Sequence, residues 1–246
     1  MRRPPLPSTA ATRATASMVA LPIGAAFYAA GRLRRGRRKP LHPDGAVLPG
    51  TLRRDGAPTT WGSPWLDSTG EHEATVRLSR SAGLPTPLPD ILGLAIRVRI
   101  DGRDADLLLS TTGRGRVGRF LLQPRADPGR GFYTTLLPYR SQRGPVLIAA
   151  EPEPPRPLPP DPAGVADELT AAPMRFALSC AGPGGGWERF GSLEVGRTGR
   201  RSDSVDAPIS FDPVRNPLPG LQMYDVVARV RTRAYASARR SRGLPG

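Results

Sequence analysis

Leu94-Ala-Ile-Arg-Val-Arg-Ile100, Asp101-Gly-Arg-Asp104 and Asp106-Leu-Leu-Leu-Ser110 follow one another near the middle of the chain. Ile96, Val98 and Ile100 alternate with Arg97 and Arg99, the period of two that sets one face of a strand against a core and the other against water. The Asp-Gly step that follows is a tight-turn signal, so two antiparallel strands joined as a hairpin are expected here. Outward from this hairpin, short apolar runs bounded by turn residues recur at 74–79, 146–150, 174–180 and 187–195, the last two flanking the glycine cluster 182–186. The 30 prolines and 28 glycines are heavy for 246 residues and call for many turns, which argues against an all-helical chain. The expected class is mainly β, antiparallel, with flanking helices.

That length suits one large domain. Residues 1–38 read as an N-terminal arm, with an apolar stretch from Met18 to Ala30 and then the basic run Arg32-Leu-Arg-Arg-Gly-Arg-Arg-Lys39. A signal peptide carries its charge before the apolar core, so the order here disfavours secretion. The stretch is also shorter than a bilayer needs and is interrupted by Pro22 and Gly24, so it reads as a short docking helix with at most peripheral membrane contact. Residues 39–246 read as the main domain. Within it, 151–162 is too proline-rich for a helix or a central strand and is expected to be an extended connection. From 221 to 242 there is no interior Pro or Gly, and Met223, Val226, Val227 and Val230 fall at helical spacing, so a C-terminal helix is expected.

The formal charge of +15 rests almost wholly on arginine, Lys39 being the single lysine. Without a helix-turn-helix, zinc-finger or aromatic stacking motif, that charge points to no specific nucleic-acid partner, and the wealth of Ala, Gly and Pro fits the coding bias of a GC-rich genome. Cys180 stands alone, which removes an intramolecular disulfide and a thiolate metal site and makes a reducing, cytoplasmic setting the simpler expectation. With only His42 and His72 as imidazoles, a metal is expected to arrive inside a cofactor.

Four segments share a pattern. His42-Pro-Asp-Gly45-Ala-Val-Leu-Pro-Gly50 resembles the distal histidine strand of the haem catalases, where glycines follow the histidine at three and eight positions. Val76-Arg77-Leu78-Ser79 is similar to that family's Val/Ala-Arg-Phe-Ser segment, and Asp90-Ile-Leu-Gly93-Leu-Ala95 to its Asp-Pro-Arg-Gly-Phe-Ala segment. Near the carboxyl end, Phe211-Asp-Pro213 leads to Arg231-Thr-Arg-Ala-Tyr235, which resembles the Arg-x-x-x-Tyr signature of the axial tyrosine. On a helix, residues four apart share one face.

The resemblance, to a small and divergent member of the catalase superfamily, implies a catalase-like antiparallel β-barrel carrying haem b. It implies His42 as the proton-transfer group on the distal side, Ser79 as the hydroxyl that orients its imidazole, and Arg77 as partner of a haem propionate. It implies Tyr235 as the axial ligand of the haem iron, with Arg231 favouring the phenolate. The distal asparagine of the family is replaced by Ser110, whose hydroxyl donates a single hydrogen bond with shorter reach. Lys39 stands where the family has arginine, and the long central part of a full catalase is missing.

The function expected is therefore haem-dependent peroxidase chemistry on hydrogen peroxide or organic hydroperoxides with an organic reductant, with weak or no dismutation. Assembly of identical copies is compatible with this. Two other classes stay open: a non-catalytic barrel that binds haem or another apolar ligand, and a phosphodiester hydrolase using the basic, flexible stretch Gly113-Arg-Gly-Arg-Val-Gly-Arg119 for phosphate. The hydrolase lacks a Gly-x-Ser-x-Gly turn and a metal-ligand cluster.

Overall fold

The computed structural model describes residues 44–81, 83–196 and 209–225. The N-terminal arm 1–38, His42, Arg231, Tyr235 and most of the expected C-terminal helix lie outside them. Ten strands follow in chain order: β1 (Asp44–Asp55), β2 (Thr69–Arg80), β3 (Leu92–Ile100), β4 (Arg103–Thr111), β5 (Tyr133–Thr134), β6 (Tyr139–Arg140), β7 (Pro145–Pro152), β8 (Met174–Ala181), β9 (Glu188–Val195) and β10 (Gln222–Met223). Two α-helices accompany them, α1 (Pro64–Asp67) and α2 (Pro162–Ala171).

Among the described residues, eight of these strands close into an antiparallel barrel in the order β1–β2–β3–β4–β5–β7–β8–β9, with β9 returning to pair with β1. β6 and β10 extend the sheet beyond β7. The fold is mainly β with few helices, as the apolar spacing requires. In register, Leu48, Val76, Ile96 and Leu107 form one row across β1 to β4, and Ala46, Leu78, Leu94 and Leu109 form another. All eight are at most 3% exposed, so these rows fill the core, while Arg97 and Arg99 alternate onto the outer face. The β3–β4 turn is the one expected: Ile100 pairs with Arg103, and Asp101 and Gly102 both take positive φ (50° and 76°).

Three sequence expectations need correction. β7 runs two residues into the proline-rich stretch, Glu151 pairing with Ala177 and Pro152 with Phe176, because a proline is tolerated at the last rung of a ladder. That stretch then ends on a helix the apolar spacing did not signal. Asp161 caps α2 by accepting a hydrogen bond from the Gly164 amide at 2.7 Å, Pro162 occupies the first turn, and Val165 and Leu169 are buried. Finally, the C-terminal helix does not start at 221. Gln222 and Met223 pair with Arg140 and Tyr139 as β10, and the Arg140 guanidinium lies 4.9 Å from the centre of the Tyr224 ring. Among the described residues no helix is long and apolar enough to cross a membrane.

Candidate functional site

The outer face of β1 to β4 carries three rows parallel to those in the core. The first is Gly45, Ser79, Gly93 and Ser110; the second Val47, Arg77, Ala95 and Leu108; the third Pro49, Thr75, Arg97 and Asp106. Strand alternation forces this grouping, since residues two apart on each strand share a face. Arg77, Ser79 and Ser110 thereby fall on one face, in adjacent rows. Ser79 and Ser110 sit two strands apart, about 9.5 Å at the usual strand spacing, with only the side-chain-free Gly93 between them.

Arg77 is 8% exposed, an unusual degree of burial for a guanidinium. Its head leans diagonally from the second row toward the first and lies on the backbone of Gly45. The Ser79 hydroxyl donates to the Gly93 carbonyl at 3.5 Å, a long contact. Val47, Ala95 and Leu108 are half-buried beside these groups. The result is a shallow apolar face with a buried guanidinium and two hydroxyls along one side.

The third row is closed off by the C-terminal segment. Asp106, with no exposed surface, accepts from Arg97 Nε and Nη2, both at 2.7 Å, from the Asp212 amide at 2.6 Å and from Asn216 Nδ2 at 2.9 Å. Arg97 also donates to the Ser210 carbonyl at 2.7 Å and lies 5.3 Å from the centre of the Phe211 ring. The hydrogen-bonded carboxylate holds Arg97 above its ordinary pKa against the effect of burial. Residues 210–216 are thus pinned to the same outer face that carries Arg77, one or two rows away. Sequence reading passed over this pair, although an acidic residue opening a strongly apolar run is itself a sign that a buried partner exists.

The basic stretch 113–119 has a structural task. Arg119, 2% exposed, donates to the carbonyls of Gly182 and Gly185, each at 3.1 Å, and stacks on Trp187 at 4.4 Å from the ring centre. It ties this loop to the β8–β9 turn. Arg114 pairs with Glu151, and its carbonyl accepts from Trp187 Nε1 at 3.0 Å. Two of the three arginines offered for phosphate are therefore already engaged within the protein. Cys180 has no exposed surface, and burial pushes its thiol up to about 12, with Glu188 adding to the shift, so a thiolate is disfavoured at neutral pH.

The first two outer rows suit one half of a flat, apolar, carboxylate-bearing group such as haem. The guanidinium matches a carboxylate, and Gly93 and Ala95 leave room for a ring system, the space over Gly45 being filled by Arg77 itself. Among the described residues there is no cluster of three or more His, Cys, Asp or Glu that could hold a metal ion. The iron ligand implied by the motif is Tyr235, outside these residues.

Against known proteins, no family model matches the chain, and no curated protein matches it by sequence. Solved structures do match. Catalase A from Saccharomyces cerevisiae superposes with a TM-score of 0.60 at 11% identity, covering 83% of this chain and 61% of that one. A fungal catalase superposes with a TM-score of 0.61 at 14% identity, covering 87% of this chain and again 61% of that one. The architecture is therefore that of a catalase-like β-barrel. At such identities the likeness concerns the fold, and this chain spans about three-fifths of the length of those structures.

Proposed function

We propose that this chain is a haem-dependent peroxidase acting on hydrogen peroxide or organic hydroperoxides, with weak or no dismutation. The observation that supports it most is the register that gathers Arg77, Ser79 and Ser110 on one outer face of a catalase-like barrel. Haem b, when bound, supplies the redox chemistry. Arg77 would hold a propionate through its planar fork. His42 precedes Gly45, the register partner of Ser79, by three residues in the sequence. His42 would take a proton from the hydroperoxide and return it to the departing oxygen, while the Ser79 hydroxyl would fix the imidazole tautomer. Tyr235 would serve as a ligand of the haem iron, with Arg231, four residues earlier in the sequence, stabilising its phenolate. An organic reductant completes the turnover, and a cytoplasmic location with at most peripheral membrane contact accords with this reading.

Ser110 supports a second reading. Its hydroxyl has a shorter reach than a carboxamide at the same rung, and a barrel that binds haem without turnover would need nothing more. The test is to express the protein with a haem precursor and record absorption beside a Tyr235→Phe variant. A Soret band that shifts or disappears in the variant, together with peroxide-dependent oxidation of a phenolic donor by the parent, is expected. A Soret band with no such oxidation selects the binding protein. A colourless protein that also fails to take up added haem overturns both.

A further inference from the structure

Between β2 and β3, Leu84-Pro-Thr-Pro-Leu-Pro89 is a run of exposed residues without a charge, Leu84 being 44% and Leu88 52% exposed. Beneath it the polarity is reversed. Arg80, 4% exposed, donates from Nη2 to the carbonyls of Leu88 at 2.5 Å and Leu84 at 3.3 Å, and from Nη1 to that of Pro160 at 3.2 Å. Asp90, 2% exposed, accepts from the Leu84 amide at 3.1 Å and lies 3.9 Å from Arg80 Nε. A buried ion pair is costly in desolvation, and this one grips only the backbone of the loop. Residues 84 and 88 are thereby held in fixed places with their side chains left outside the core, where they add nothing to the stability of the barrel.

The surroundings favour negative charge. Asp127 already accepts from the amides of Gly129 and Leu158, and Asp161 from that of Gly164. Arg125, whose backbone is bridged to that of Asp90, is exposed and has no carboxylate partner among the described residues. The chain enters the barrel at this same end, Asp44 being the register partner of Arg80, and the basic run 32–39 stands five residues before Asp44 in the sequence. We propose that the β2–β3 loop is a membrane-contact element, Leu84 and Leu88 entering the apolar margin of an anionic lipid bilayer while Arg125 and the basic run supply the attraction to its headgroups. Contact between two copies through this loop would bring like charges together in a chain of formal charge +15, whereas an anionic bilayer offers an apolar margin and opposite charge at once. The inference goes beyond the peroxidase reading and does not depend on it.

The test is flotation of the full chain with vesicles of phosphatidylcholine alone or with about one-third phosphatidylserine. Wild type is expected to float with the anionic vesicles and not with the neutral ones, and Arg125→Gln to bind more weakly with a flatter salt dependence. The double variant Leu84→Ser, Leu88→Ser is expected to bind the anionic vesicles at least about tenfold more weakly. Its unfolding midpoint stays that of wild type, because Arg80 and Asp90 use only backbone atoms at these positions. A polarity-sensitive dye on Leu88→Cys, Cys180 being buried, brightens on the anionic vesicles, while the same dye on Arg103→Cys, in the turn at the other end of β3, does not. Undiminished vesicle binding by the double variant, a silent dye at 88, or no binding by wild type overturns the inference. So does self-association without vesicles that the double variant abolishes, which would assign the loop to a contact between copies.

Discussion

His72 and Arg54 show how burial and one contact together set a titration. The Nε2 of His72 lies 3.0 Å from Nη2 of Arg54, whose guanidinium is 6% exposed and donates to the carbonyls of Pro64 and Trp65. An imidazole facing a cation must offer its lone pair, so it is neutral. Burial, and then Arg54, lower the His72 pKa below 6.5, outweighing a backbone hydrogen bond with Arg99 and the charge of Asp101. Below that value the unfolded chain takes up a proton that the native protein refuses, so stability falls as pH drops through 6.5 toward the lower native value and levels off beneath it. A His72→Gln variant keeps an acceptor for Arg54 but does not titrate. Its urea midpoint relative to wild type is expected to rise between about pH 7.5 and about pH 5.5; an unchanged difference would mean that His72 titrates normally in the native state.

Among the elements, the β3–β4 hairpin was the most readable, because strict alternation and an Asp-Gly turn coincide with what the backbone needs. β1 was harder to read: Pro49 and Gly50 lie inside it, and both are poor strand residues, yet β2 and β9 flank it and supply its pairing. The helix α2 had a local signal in Asp161-Pro162 that weak apolar spacing obscured. β10 had none, since its strand state depends on β6, a partner some eighty residues earlier in the chain. The tie between β4 and residues 210–216 is likewise long-range, and its weight can be measured. Asp106→Ala strands the half-buried Arg97, the Asp212 amide and the Asn216 carboxamide, and is expected to cost about 2–3 kcal/mol in urea unfolding. Amide exchange should quicken first in 210–216. A loss under about 1 kcal/mol would show that this segment docks by other contacts.

The closed barrel depends on the seam between β1 and β9, where Gly50 to Arg54 pair with Val195 to Gly191. A Cβ on Gly191 would meet the Arg53 carbonyl oxygen at 2.2 Å and the Arg54 Cα at 3.1 Å, both backbone atoms that cannot swing aside. Gly191→Val must therefore push the strands apart. It is expected to destabilise the protein by about 3 kcal/mol, which for a chain of this size lowers Tm by roughly 6–12 °C in a calorimetric scan. Gly184→Val serves as the control, because nothing lies within 4 Å of a Cβ there. Equal midpoints for the two variants would show that the seam tolerates separation.

Strand identity, face alternation and the β3–β4 turn were legible along the chain because each depends on neighbours one to four residues apart. The candidate site was legible as a set of residue types: the motifs named Arg77, Ser79 and Ser110, and the register does place them on one face. Their geometry was not legible. That the Arg77 guanidinium rests on Gly45, that Asp106 holds residues 210–216 against the barrel, and that Arg119 belongs to the β8–β9 turn and not to a phosphate all follow from contacts between segments tens of residues apart. Such contacts leave no periodic trace in a sequence, because their energy comes from burial and hydrogen bonding that exist only once the barrel has closed.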